Sequence, residues 1–156
     1  MTRLLILGLT HAAALAVGCV AGIYALPILI APAGPTSAEV ETAAADAVFT
    51  AQFRRDLPGS DRLHWGEGEV SVGTRTVSLV GSVAPGPDYR LYLTPEAVES
   101  KQDFLQLKER SVQVGDVKTF DNFIVAVPES VDVTRYRAVV VWCESFSQFI
   151  TAAQYR

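Results

Sequence analysis

Cysteine and histidine are both scarce in this chain. Its 156 residues include two of each: Cys19, Cys143, His11 and His64. No C-x-x-C pair and no C-x-x-C-H run occurs, which removes the redox dithiol and the covalent haem attachment. A single Cys–His pair falls short of the four ligands that close a zinc site. The chain also lacks G-x-S-x-G, G-x-x-x-x-G-K and G-x-G-x-x-G, so it has neither a hydrolase nucleophile elbow nor a phosphate-cradling loop. Positive charge is thin as well. The net charge is −4 at pH 7, and Arg54–Arg55 is the only adjacent basic pair. Nucleic-acid binding needs a basic face to displace counterions, and anionic lipid needs a polybasic patch; neither is present.

What the chain does have is one long apolar run. Residues 4 to 31, LLILGLTHAAALAVGCVAGIYALPILIA, contain no charged side chain. About 20 such residues cross a bilayer core, so residues 1–31 are expected to be a transmembrane anchor, with 4–31 in the membrane. Arg3 precedes the run, and Glu39, Glu41 and Asp46 follow it. Positive charge stays inside, which predicts a cytoplasmic N-terminus and a C-terminal domain exported to the periplasm or cell exterior. Two other readings exist. Ala31-Pro32-Ala33 has the form of a signal-peptidase site, and Cys19 in AVGC resembles an acylated cysteine, although the apolar run continues well beyond it. Gly18 and Gly22 form a G-x-x-x-G row through which two copies can pair as a homodimer, or they are ordinary small residues of a membrane helix. His11 lies near the cytoplasmic end of the run.

Residues 32–48 read as a stalk or short juxtamembrane helix, since Thr36 and Glu39 have capping-box spacing. From residue 49 to 156 the pattern becomes period two. Phe49, Ala51 and Phe53 alternate with polar residues, and Val70, Val72, Val77 and Leu79 flank Gly73-Thr74. Further strand candidates are 89–95, 111–117, 122–128, 138–144 and 147–154. Turn residues separate them, as in LPGSD, APGPD and PES. Many short strands with such breaks predict an all-β antiparallel sandwich or barrel. The main helical candidate is PEAVESKQDFLQL, 95–107, as a helix or a structured loop. In the strand 138–144, alternation puts Val139, Val141 and Cys143 on one face and Val140, Trp142 and Glu144 on the other.

Four segments are similar to the DM-thirteen domain, a small all-β module also found beside DOMON modules in Skeletor-like proteins. They are DRLHWGEGEV (61–70), GPDYRLYLTP (86–95), VGDVK (114–118) and YRAVVVWCESFSQFITA (136–152). The last is the most specific, with a tyrosine, a β-branched run and then Trp-Cys. Gly86, Pro87, Asp88, Lys118 and Trp142 fall on family-motif positions. After Lys118 the chain departs from the family's Gly/Asn-rich loop and reads TFDNFIVAVP instead. The resemblance implies an all-β fold and a redox or electron-transfer role centred on the cysteine, in a membrane-anchored form of bacterial type.

Cys143 is therefore the candidate redox residue and His64 its candidate helper. Each has a plainer reading. A buried free cysteine behaves as a small hydrophobe, and His64 can serve only to start a strand through a backbone hydrogen bond. Asp88 suits turn chemistry, and DLPGSD reads as a solvated turn. Trp142 either packs the second face of its sheet or is exposed for a partner. No motif indicates a cofactor; non-covalent haem or copper on Cys143 or His64 is left open. The expected partners are the membrane and an unidentified exported or redox protein. The competing function is a non-catalytic interaction domain with a structural cysteine, and no catalytic constellation marks an enzyme.

Overall fold

The computed structural model describes residues 2–156. Helix α1 covers Thr2–Ile30 and is long and apolar enough to cross a membrane. At about 1.5 Å per residue it exceeds the roughly 20 residues a bilayer core requires. Gly18 and Gly22 stand open on its surface. Helix α2, Ser37–Ala43, begins where the capping box predicts: Thr36 Oγ1 accepts from the Glu39 N–H, and the Glu39 carboxylate accepts from the Thr36 N–H at 2.8 Å.

Eight strands follow. One sheet contains β1 (Ala47–Phe53), β2 (Gly66–Gly73), β3 (Thr76–Val83) and β6 (Asp121–Ala126), in the order β1-β2-β3-β6. The other contains β4 (Tyr89–Thr94), β5 (Val112–Val117), β7 (Ala138–Cys143) and β8 (Gln148–Gln154), in the order β5-β4-β7-β8. All pairings are antiparallel, and the two separate sheets make a sandwich.

Alternation along the strands sends one set of side chains into the space between the sheets. Phe53, Val70, Leu79 and Phe123 come from the first sheet, and Leu91, Val139, Val141 and Cys143 from the second. The second sheet also buries its outer face. Tyr92, Val140, Trp142 and Phe149 pack there beneath Val98, Phe104 and Leu107. Strand β7 is consequently buried at all six positions, with the face assignment its alternation predicts. Fully burying each large side chain here contributes roughly 1.5–3 kcal/mol.

The covering helix, α3, is shorter than the 95–107 segment suggested. It runs Lys101–Leu107, with extended Ser100 as its N-cap. Pro95–Ser100 is not helical because its backbone works elsewhere: the Glu99 carbonyl accepts from the Gly59 N–H at 2.8 Å, and the Glu96 carbonyl from Thr94 Oγ1 at 2.7 Å. Opposite β8, a register shift lies between Val141 and Trp142. This bulge lets Phe149 join the outer core while Ile150 and Ala153 stay in the inner one.

Candidate functional site: a cavity between helix and sandwich

The antiparallel register of β4 and β7 sets Tyr89 opposite Cys143. Both belong to the inner core, at the end of the sandwich that faces α1. The segment leading into β4 carries Pro85, Gly86 and Pro87, and its chain reversal requires a left-handed residue. Asp88 supplies it at φ 55°, a conformation that Asp and Asn tolerate better than most residues. The Asp88 carboxylate is held by Arg90 at 2.7 Å and by Ser145 Oγ at 2.8 Å.

Cys143 is 2% exposed, and its thiol donates to the Pro87 carbonyl at 3.0 Å. Burial pushes this thiol above its ordinary range, and the Phe146 N–H, which favours the thiolate, does not offset it. Asp88 and Glu144 add negative charge nearby and act in the same direction as burial. This is a protonated thiol at neutral pH, unlike the depressed, exposed thiolate of an exchange-active cysteine. Tyr89 is 3% exposed, and its hydroxyl has no hydrogen-bond partner among the described residues. Burial, followed by the neighbouring Cys143, pushes the phenol up as well.

His64 sits on the turn before β2. Its ring is not used for a backbone hydrogen bond, contrary to the plainer sequence reading. Instead Nδ1 lies 2.8 Å from Asp61 Oδ2, while Asp61 Oδ1 accepts from the backbone N–H groups of Leu63 and His64 at 2.7 and 2.9 Å. Burial pushes the Asp61 carboxyl up, but the His64 ring and the Leu63 N–H outweigh it and hold it below the usual range. An ionised carboxylate can only accept, so Nδ1 carries the hydrogen and Nε2 is left as the free position. DLPGSD is thus a turn whose Asp61 carboxylate is tied to His64, while Asp56 lies 3.6 Å from Arg54 in solvent.

These groups surround a cavity of about 260 Å³. His64, Tyr89 and Cys143 line the sandwich side; Val20, Ile23 and Tyr24 of α1 form the opposite wall; Leu63 and Phe146, both exposed, stand at its rim. No Lys, Arg, Asp or Glu lines it. Four of the positions singled out from the sequence converge here: Cys143, His64, Gly86 and Pro87. Asp88 braces the loop from behind. Lys118 is elsewhere, exposed and 3.8 Å from Asp116. Trp142 points to the other face of its sheet and packs against Phe104. Tyr89 and Asp61 were not singled out. The D-x-x-H spacing was a usable signal for Asp61; Tyr89 shares strand parity with Leu91 and Leu93 but shows nothing else in one dimension.

Among the described residues, no group of three or more His, Cys, Asp or Glu side chains is placed to hold a metal. A His₂Cys copper site of the electron-transfer type lacks its second histidine, since His64 is the one histidine that lines the cavity. The cavity lies below the roughly 300–1,000 Å³ that encloses drug-sized ligands, which does not suit a haem macrocycle.

The fold and the cavity define a class: a small β-sandwich module that gathers a thiol, a phenol and a carboxylate-oriented imidazole around one apolar space. Residues 52–155 match the family model described as electron transfer DM13, and the chain belongs to that family. No curated protein and no solved structure matches the chain.

Proposed function

We propose that the protein is a membrane-anchored electron-transfer module whose exported domain does its redox work at the cavity holding Cys143. The family's description as an electron-transfer domain supports the reaction class. The observation that carries the site is the convergence of Cys143, His64 and Tyr89, from three separate parts of the chain, on one cavity. Arg3 in the first turn of α1, before the uncharged run, and acidic residues behind the helix support an inside N-terminus and an outside domain. Within this reading Cys143 acts as a neutral thiol beside a redox group, and His64 is its oriented neighbour.

Voltammetry of the full chain in detergent tests the reading. A wave present in the wild type and lost or displaced in Cys143→Ala is expected. The same response in both proteins would overturn the assignment to Cys143. A second reading, an interaction domain with a structural cysteine, is favoured by one observation: Cys143 shares its buried face with Val139 and Val141. Silence of both proteins in voltammetry, with Cys143 labelled only on unfolding, selects that reading.

A further inference from the structure

We propose that the cavity binds the ring of a lipid-soluble quinone that enters from the bilayer alongside α1. The choice of a redox-active ring rests on the electron-transfer reading; the remaining features come from the cavity itself.

The first is access. One wall is formed by Val20, Ile23 and Tyr24, which belong to the uncharged run. Ile23 and Tyr24 remain about half exposed beside the sandwich, so helix and domain meet along an open seam. On the cytoplasmic side of Val20 the helix carries no charged residue back to Leu4, so a hydrocarbon tail running from the cavity into the bilayer meets no charge.

The second is selectivity. No cationic side chain lines the cavity, so flavin and nicotinamide nucleotides have nothing to receive their phosphates. A neutral ring carrying carbonyl oxygens has suitable partners. The Tyr89 side chain lines the cavity, and no other described side chain holds its hydroxyl as a hydrogen-bond donor. Such a donor is satisfied by a ligand carbonyl. His64 Nε2, an acceptor while Nδ1 carries the hydrogen, is oriented from behind by Asp61 and is free to take the hydroxyl hydrogen bond of the reduced ring.

The third is chemical compatibility. Thiolates add to quinone rings, whereas thiols do so only through their ionised fraction. Cys143 is hydrogen-bonded to Pro87 and buried, so it stays protonated and lines the site without being consumed by the ligand.

The test uses the full chain in phospholipid nanodiscs, titrated with decylubiquinone and followed by quenching of its two tryptophans. The expected result is saturable quenching above the linear background of empty discs. Tyr89→Phe weakens it about fivefold or more, as the loss of one hydrogen bond of about 1 kcal/mol predicts, and His64→Gln weakens the binding of decylubiquinol, read by competition, to the same degree. Bound quinone also slows methanethiosulfonate labelling of Cys143. Linear quenching only, or affinities unchanged in both variants, overturns the proposal and leaves bilayer lipid as the occupant of the seam. His64→Gln is half-exposed at a turn, so it stays informative should Tyr89→Phe fail to fold. The outcomes separate cleanly from the redox reading. A Cys143-dependent wave without saturable binding keeps electron transfer and removes the quinone. Saturable binding without such a wave keeps the ligand and removes the Cys143-centred role.

Discussion

Tyr89 and Cys143 face each other across β4 and β7, and both lean on the same two-residue stretch of chain. The Cys143 thiol donates to the Pro87 carbonyl, and a methyl group on Gly86 would come within 2.3 Å of the Tyr89 hydroxyl and 2.8 Å of its ring. The position of the loop is thus set by a thiol from one strand and a phenol from the other.

Gly86→Ala is expected to destabilise the domain by about 1–3 kcal/mol, the usual cost of overpacking a filled site, read from urea unfolding. Adding Tyr89→Phe removes the closest clash but not the ring contact. The double variant should therefore recover part of the loss. Additive effects would show that the two sites do not interact.

Alkaline pH should weaken the domain in two stages. Cys143, Tyr89, Tyr92 and Tyr155 are all held above their ordinary values, first of all by burial. An acid whose folded value is raised loses its proton more readily when unfolded, so stability falls once pH passes the unfolded value. That point is about 8.5 for the thiol and about 10 for the phenols. Melting temperature against pH should begin to drop near the first value, and Cys143→Ala should delay the drop until the second.

Acid acts through Glu144 on the outer face of the second sheet. Burial pushes its carboxyl up, but Lys108 at 2.7 Å and the Tyr92 hydroxyl more than offset this and hold it below the usual range. The stabilisation is full above about pH 4.3, the unfolded value, and disappears as pH falls through the lower folded value. Glu144→Gln should cost about 1 kcal/mol at pH 7 and flatten the acid limb of the melting curve. An unchanged limb would mean the group contributes nothing there.

Membrane attachment is checked by extraction and mass. Alkaline carbonate should leave the full chain with the membrane, and protease added to intact spheroplasts should reach residues 47–156. Recovery of a soluble chain beginning after Ala33 would establish cleavage at Ala31-Pro32-Ala33 instead.

Much of the sandwich was legible because period-two patterning and turn residues are local signals. β7 shows this best: the division of Val139, Val141 and Cys143 from Val140 and Trp142 follows from alternation alone. The α2 start was legible too, since a capping box is written in four residues. The start of α3 was not, because the Glu99 carbonyl is committed to Gly59, forty residues earlier in the chain. The cavity was legible only as separate parts. Cys143 and His64 meet through the stacking of two sheets, and Tyr89 is brought beside the thiol by register; neither relationship is encoded by spacing along the chain.

Strand β7 has a core on each side, and this restricts where the family's members can differ. None of its six positions opens to water, so exchanges there must conserve size and apolar character, and the cysteine at its end inherits that rigidity. The opposite wall of the cavity, built from Val20, Ile23 and Tyr24 of α1, carries no such constraint. Divergence between such modules should therefore accumulate on the helix, around a thiol and a loop that stay in place.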